Sequence, residues 1–239
     1  MKYIDLTLPA PEENLACDEA LLDLCEEGWD GEILRFWEPR GYFVVVGYAN
    51  KTAAEVNLAF CRENGIPVLR RCSGGGTVLQ GPGCLNYSLI LEITESGPLR
   101  SIAGANAFIL NRQRAALERL LDASVEILGH TDLAVGSLKF SGNAQRRKRK
   151  FLLFHGAFLL QFDISLIEKA LRMPSKQPDY RRNRPHTEFL TNLNLPSAVL
   201  KSALQKAWNA KTPLPNIPSE KIGELTRQKY ATEEWNLKF

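Results

Sequence analysis

Apolar residues recur along the chain with two different periods, and the expected elements follow from where each period holds. Residues 14–27 place Leu15, Leu21, Leu22, Leu24 and Cys25 on a helical period, with Asn14 as the expected N-cap and Gly28 as the stop. Residues 33–37 and 42–48 are β-branched and aromatic, separated by Pro39, Arg40 and Gly41, which predicts two strands joined by a turn. Thr52 and Glu55 have capping-box spacing, Gly65 follows that helical stretch, and residues 66–71 return to strand character. Tyr87, Leu89, Leu91 and Ile93 alternate with Ser88, Ile90 and Glu92, the period-two pattern of a strand with unequal faces. A long helix is expected from Ser101 to Asp122. Between Val125 and Phe162 short strands are expected, broken at Gly129, Gly136, Gly142 and Gly156. Residues 165–171, 197–208 and 220–230 read as helices between Pro-containing connections. Residues 173–191, with Pro174, Pro178, Pro185 and many arginines, are the expected mobile loop or lid.

Strands in short groups, with helices between the groups and at the C-terminal end, predict an α+β fold with a mixed, mostly antiparallel sheet flanked by helices. The 239 residues are 44% hydrophobic and 24% charged, which suits one domain over 1–239 with a core that needs no disulfide or structural metal. Residues 151–162 form the longest apolar stretch, but His155, Gly156 and Gln161 interrupt it, so no membrane span is expected. The first residues carry neither a secretory nor a transit pattern, and the five cysteines (Cys17, Cys25, Cys61, Cys72, Cys84) lack metal-ligand spacing, so a reducing cytoplasm is expected. A net charge of +3 from 30 basic and 27 acidic residues is too balanced for a general nucleic-acid binder. Local clusters therefore matter more than total charge.

Two clusters carry candidate chemistry. In the first, Arg70, Arg71, Cys72, Ser73, Gly74, Gly75, Gly76, Thr77 and Val78 run consecutively. Successive glycines let backbone amides approach a ligand, and flanking arginines suit a carboxylate or phosphate. No Gly-Lys-Ser/Thr follows, and the next residues read as strand, so neither a Walker loop nor a dinucleotide fingerprint is present. A plain hairpin turn is the competing reading. In the second, Lys139 sits between Leu138 and Phe140, followed by Ser141, Gly142, Asn143, Ala144 and Gln145. On a strand Lys139 points away from its apolar neighbours, with room beside Gly142, and can hold phosphoryl and carboxyl oxygens in a transition state; an ordinary solvent-facing lysine is the alternative. The run Arg146, Arg147, Lys148, Arg149, Lys150 reads as a solvated hairpin tip or as a docking site for an acidic partner. His130, His155 and His186 have no metal-ligand spacing.

These motifs, in this order, resemble the biotin/lipoate protein ligase and octanoyltransferase superfamily, and most of all the lipoate–protein ligases. The resemblance rests on Arg-Arg-x-Ser-Gly-Gly-Gly-Thr-Val at 70–78, Gly-x-x-Lys-Phe-Ser-Gly-Asn-Ala-Gln at 136–145, and His155-Gly156. Leu34-Arg35-Phe36-Trp37, Val45-Val46-Gly47-Tyr48-Ala49-Asn50 and the helix beginning at Asn14 match as well, so it covers residues 14–162 at motif level. It implies a two-step reaction: lipoate or octanoate and MgATP form an acyl-adenylate, and the acyl group passes to a lysine of an acidic lipoyl-carrier domain. Lys139 falls at the family's essential lysine, Arg71 and Gly74, Gly75 and Gly76 at the loop over the acyl chain and adenylate, and Asp132 near the metal and phosphate. Thr131 stands where the ligases carry Asn, and the residues after the loop, Gln80-Gly81-Pro82-Gly83-Cys84, lack the His-Asp typical of well-known ligases. The superfamily's transferases need a cysteine nucleophile instead; residues 130–135 contain none, which leaves Cys72 and Cys84 as alternatives, either free thiols whose pKa values Arg70 and Arg71 lower or, as is usual, buried structural cysteines. Tyr230 to Asn236 resembles the segment that closes the large ligase domain, so a separate accessory subunit is expected if adenylation needs the smaller one. A nucleic-acid or partner-binding module using Arg146–Lys150 and Arg181–Arg184 is the remaining alternative. Leu79, Leu89 and Val135 are the expected acyl-chain lining.

Overall fold

The computed structural model describes residues 1–239. In chain order its strands are β1 (Lys2–Asp5), β2 (Ile33–Trp37), β3 (Phe43–Val46), β4 (Val68–Arg70), β5 (Val78–Gln80), β6 (Cys84–Glu92), β7 (Glu126–Leu128), β8 (Asp132–Val135), β9 (Leu138–Arg147), β10 (Phe151–Leu159) and β11 (Thr212–Pro213). The helices are α1 (Pro11–Glu26), α2 (Thr52–Glu55), α3 (Leu58–Glu63), α4 (Ile102–Leu121), α5 (Ile164–Ala170), α6 (His186–Phe189), α7 (Ser197–Ala207), α8 (Ser219–Leu225) and α9 (Glu233–Asn236), and a π-helical turn at Thr226–Tyr230 continues α8. No helix is long and apolar enough to cross a membrane.

An eight-stranded sheet runs β11-β1-β2-β6-β10-β9-β8-β7, with β1 parallel to both its neighbours and every other pairing antiparallel. A second, three-stranded sheet runs β4-β3-β5. The expected mixed, mostly antiparallel α+β architecture is therefore present. β2 and β3 do flank the Pro39–Gly41 turn, but the chain crosses there from one sheet to the other and the two strands do not pair.

Burial shows what the sequence periodicity means in three dimensions. β6 has the unequal faces its alternation predicts, and both are buried from Cys84 to Leu91. Leu85, Tyr87, Leu89 and Leu91 pack with Ile109 and Leu117 of α4 and Leu200 and Leu204 of α7, while Ile90 on the opposite face packs with Leu21 and Leu22 of α1. Helices cover both faces, so β6 has no solvated row, and its polar residues Asn86 and Ser88 fall on the α1 face. Gly142 and Gly156 were expected to break strands; they lie inside β9 and β10, where Gly142 pairs with Ala157 and Gly156 with Asn143. Asn14 is not the cap of α1. The helix starts at Pro11, where a missing N–H costs nothing, and Glu13 Oε2 accepts the Ala10 N–H at 3.0 Å. Asn14 instead turns inward and bonds Leu8 and Arg35. The long helix α4 matches its expectation: Ser101 Oγ accepts the Gly104 N–H, and Asp122 ends it in the left-handed region at φ 49°.

The basic run forms the β9–β10 hairpin tip, and α1 secures it. Lys148 pairs with Asp23 at 2.6 Å, and the Glu26 carboxylate accepts the N–H groups of Arg149, Lys150 and Phe151. Residues 173–191 hold a 3-10 turn at Asp179–Arg181 and then α6; Tyr180 of that turn donates to Asp132 Oδ2 at 2.7 Å.

Candidate active site

A cavity of about 470 Å³ opens between the main sheet, the second sheet and residues 172–190. Its apolar lining includes Leu15, Trp37, Val45, Val78, Leu79, Cys84, Leu159, Ile167, Leu171 and Phe189. Of the expected acyl lining, Leu79 is present; Leu89 and Val135 face the α4 side of the sheet and do not reach the cavity.

The glycine loop is held from beneath. Arg71 enters from the end of β4, buried, with Nε donating to Ser73 Oγ at 3.0 Å and Nη2 to the carbonyls of Gly74 and Gly76. Burial lowers its pKa to about 10, which leaves it cationic at neutral pH. With those carbonyls turned inward, the amide N–H groups of Gly74, Gly75 and Gly76 have no acceptor within the chain, and all three residues are exposed at the rim. Free amides on a rigid loop are donors ready for an oxyanion.

Ser73 continues the network away from the loop. Its Oγ lies 2.6 Å from His155 Nε2, His155 Nδ1 lies 3.3 Å from Asp18 Oδ2, and Asp18 Oδ1 accepts Arg35 Nη1 at 2.6 Å. Burial alone would raise the Asp18 carboxyl, but the Arg35 guanidinium and His155 beside it hold it below the usual carboxylate value. An ionised Asp18 accepts only, so Nδ1 of His155 carries the proton and Nε2 accepts from Ser73. One chain of charges and hydrogen bonds thus ties α1 and β2 to the glycine loop.

Lys139 stands across the cavity, its Nζ 2.8 Å from Asp132 Oδ1. Gly142 makes that position possible: a Cβ there would lie 2.8 Å from Lys139 Nζ. Asn143 fixes the loop that carries Asp132, accepting from Tyr87 Oη and donating to Thr131 O at 2.6 Å, while Thr131 Oγ1 donates to Asn143 O at 2.6 Å. Gly156 leaves space for the Asn143 carboxamide. Ser141 and Thr77 also line the cavity, as do His130, Gln80 and Asn86.

Of the expected site residues, Arg70 and Cys72 lie away from the cavity, and Cys84 lines it as a buried thiol. Arg70 is fully buried and does not line the cavity; it donates to the carbonyls of Gly47, Tyr48, Asn50, Trp235 and Asn236 and to Thr52 Oγ1. It is the clasp that holds the C-terminal helix α9 against β4. Cys72 is buried against Tyr230 outside the cavity, and burial raises its thiol to about 12. Cys84 lines the cavity but is 1% exposed and also raised to about 12. Of the two readings, the buried structural cysteine holds: burial dominates both thiols, and Arg70 and Arg71 are committed to protein acceptors instead of activating them.

Sequence reasoning missed Asp18, Tyr180, Arg181 and His186 as parts of this site. Asn14 and Asp18 stand four residues apart on the apolar face of α1, a signal that was available. Tyr180 had none.

The Lipoyl protein ligase A/B catalytic domain model matches residues 10–202. Among curated proteins, Lipoate-protein ligase A subunit 1 of Thermoplasma acidophilum is 28% identical over 94% of this chain and 91% of its own length. Octanoyltransferase LipM of Brevibacillus brevis is also 28% identical, over 99% of this chain and 98% of its own. Among solved structures, a crystal structure of lipoate-protein ligase A bound with ATP superposes with a TM-score of 0.84 at 25% identity, covering 99% of each chain. A bi-partite lipoate protein ligase with its E2 lipoyl domain, from Thermoplasma acidophilum, shares the fold at a TM-score of 0.82 and 24% identity, over 99% of this chain and 96% of that one.

Proposed function

The chain belongs to the lipoyl protein ligase A/B catalytic-domain family, and from that premise we propose that it is an ATP-dependent lipoate–protein ligase. Lipoate or octanoate and ATP are its substrates. An oxygen of the fatty carboxylate attacks the α-phosphorus, pyrophosphate leaves, and the acyl-adenylate stays in the cavity. The deprotonated ε-amine of an acceptor lysine on a lipoyl-carrier domain then attacks the acyl carbonyl, and AMP leaves.

The observation that carries this reading is the Lys139–Asp132 pair in the cavity together with the absence of a reachable thiolate. Lys139 supplies a fixed positive charge where the carbonyl and α-phosphate oxygens gain charge, and the free amides of the glycine loop supply neutral donors; no part of this requires a nucleophilic side chain. Asp132 orients Lys139 and is itself oriented by Tyr180. No cluster of three or more ligating side chains exists, so a Mg2+ ion would be held by the substrate's phosphates with Asp132 as the protein ligand, which fits the usual habit of that ion and would supply charge neutralisation. The competing reading, transfer from a carrier-bound octanoyl thioester through a cysteine, has in its favour the LipM relative. It needs an accessible thiolate, and all five cysteines are buried. The cations of the β9–β10 hairpin suit an acidic carrier domain, and a separate accessory subunit belongs to the same proposal.

The test incubates the purified chain with lipoate, MgATP and a lipoyl-carrier domain, and in parallel with an octanoyl-carrier protein and no ATP, reading carrier mass in both. ATP-dependent lipoylation is expected, unaffected by prior iodoacetamide treatment and reduced about 100-fold or more in Lys139→Ala. Transfer only in the ATP-free arm, lost on alkylation, would reject the ligase in favour of the transferase. If lipoylation appears only after an accessory subunit is added, the ligase reading stands with a two-chain enzyme.

A further inference from the structure

Inside the core, α4 carries Ala105, Ile109, Gln113 and Leu117 at a spacing of four residues, all fully buried. Gln113 interrupts this otherwise apolar stripe. Neither its Nε2 nor its Oε1 has a hydrogen-bond partner, whereas every other buried side chain left unpartnered is so at one atom only. A buried carboxamide in that condition costs stability that a leucine in its place would not. A core position that keeps such a group needs a reason outside packing.

The hydrogen bonds beneath Asp132 have a fixed polarity. Thr131 O is a backbone carbonyl and accepts only, so Asn143 turns Nδ2 toward it, at 2.6 Å. Asn143 Oδ1 therefore faces Tyr87, whose hydroxyl spends its single proton there at 2.5 Å. Tyr87, Gly156 and Asn143 stand in one row across β6, β10 and β9, and Gly156 puts no side chain between the other two. With its proton committed, Tyr87 Oη offers only lone pairs and is complete only beside a donor. Burial drives the Tyr87 phenol's pKa up, and the Gln113 carboxamide draws it back, the sign of Nε2 turned toward Oη at a reach longer than a formed hydrogen bond. An amide of the opposite orientation would claim the Tyr87 proton for Oε1 and leave Asn143 Oδ1 without a donor.

We propose that Gln113 is a positioning residue for the Lys139–Asp132 pair, acting through Tyr87 and Asn143. Its amide dipole keeps the Tyr87 proton aimed at Asn143, and Asn143 in turn keeps the loop of Asp132 in place. The links nearest the site are short: Thr131 Oγ1 donates to Asn143 O at 2.6 Å, and Asp132 Oδ1 lies 2.8 Å from Lys139 Nζ. Gln113 itself does not line the cavity. Its contribution to turnover rests on the ligase reading of Lys139, while the hold on the ion pair can be followed without turnover.

The test compares the wild-type chain with Gln113→Leu, Tyr87→Phe and the double variant. Each is melted, assayed with lipoate, MgATP and a lipoyl-carrier domain, and labelled with limiting acetic anhydride, the rate at Lys139 being read by peptide mass against the exposed Lys51. Gln113→Leu should melt at or above wild type, yet label at Lys139 about threefold faster or more and lose about tenfold in kcat, with KM for lipoate within about twofold. Tyr87→Phe should show the same pattern, and the double variant should match it within about twofold, because both side chains act through one hydrogen bond. A glutamine with a merely structural role would let activity follow the melting point. If Gln113→Leu melts more than about 4 °C low, Gln113→Met is read in its place by the same criteria. The proposal is overturned if the folded Gln113 variant labels at Lys139 at the wild-type rate, or if the double variant loses the product of the two single losses. Faster Lys139 labelling in the variants of a chain that never lipoylates removes the ligase reading alone, whereas lipoylation and Lys139 labelling both unchanged in Gln113→Leu remove the positioning role alone.

Discussion

Replacing Arg70 with methionine keeps the length and much of the apolar bulk of the side chain while removing every donor. In the wild type that guanidinium serves Gly47 O, Tyr48 O, Asn50 O, Trp235 O, Asn236 O and Thr52 Oγ1 at 2.8–3.1 Å. After the change Gly47 O keeps the Asn50 N–H at 3.0 Å, but Thr52 Oγ1 and Asn236 O lose their donor where water cannot easily follow. At about 1–3 kcal/mol for each such buried group, plus smaller losses at the part-buried carbonyls, the deficit is about 3–6 kcal/mol. For a chain of this size each kcal/mol moves the midpoint by about 2–4 °C, so a fall of roughly 6–24 °C is expected in a thermal melt followed by circular dichroism. Below that transition the folded variant should bind lipoate within about threefold of wild type, because no Arg70 atom lines the cavity. Arg71→Met reverses the pattern: it frees the Gly74 and Gly76 carbonyls and should lose lipoate affinity out of proportion to its melting point. An Arg70→Met protein that melts within about 2 °C of wild type and no longer binds lipoate would refute the clasp and make Arg70 a direct ligand contact.

Two further substitutions probe the scaffold beneath the site. In Gly156→Ala the new methyl overlaps Asn143 Oδ1 and lies 2.7 Å from Gly142 O, so Asn143 must release Thr131 and shift the Asp132 loop; about 1–3 kcal/mol of stability and at least tenfold in turnover should go, read by urea titration and initial rates, and a fully active variant contradicts the clamp. Asp18→Asn removes a carboxylate whose folded pKa is depressed, so its contribution is present above the ordinary carboxylate range and disappears as pH falls through the lower folded value. Urea melts should show a deficit of about 2–4 kcal/mol at pH 7 that shrinks below pH 4; a pH-independent deficit would mean the carboxylate charge contributes nothing.

How much of this was legible beforehand differs by residue. Lys139 and the glycine loop were readable because their chemistry is concentrated in consecutive positions, and α4 because its apolar period runs uninterrupted between Ser101 and Asp122. The unequal faces of β6 were readable from its alternation, but not that α1 covers the more polar one. Gly142 and Gly156 were misread because a lone glycine in a strand can mark either an end or a close approach, and only their cross-strand neighbours separate the two. Arg70 and Arg71 are adjacent and chemically identical, yet alternation along β4 sends one toward the C-terminal helix and the other beneath the loop; which is which depends on partners 165 residues away in sequence. Arg181 and His186 come to the cavity through a 3-10 turn and a four-residue helix whose paths no periodicity describes.

The distribution of positive charge gives the site its logic. Arg35, Arg70 and Arg71 are all buried and their terminal guanidinium nitrogens go to protein acceptors: Asp18 and Asn14, the backbone around α9, and the glycine-loop carbonyls respectively. An arginine used that way does not touch an anionic ligand, but it fixes the atoms that do, since every loop carbonyl drawn inward leaves its neighbouring amide facing out. Donors set before the ligand arrives need no reorganisation as charge develops, which is the condition under which modest dipoles accelerate a reaction. The mobile positive charge is then left to Lys139, poised on Asp132, whose 2.8 Å ion pair a substrate oxyanion can share without either group leaving its strand. On this plan the ammonium of Lys139 sits between Asp132 and Gly142, so Lys139→Arg should fail nearly as badly as Lys139→Ala: the wider guanidinium collides with the space that Gly142 keeps open for an ammonium.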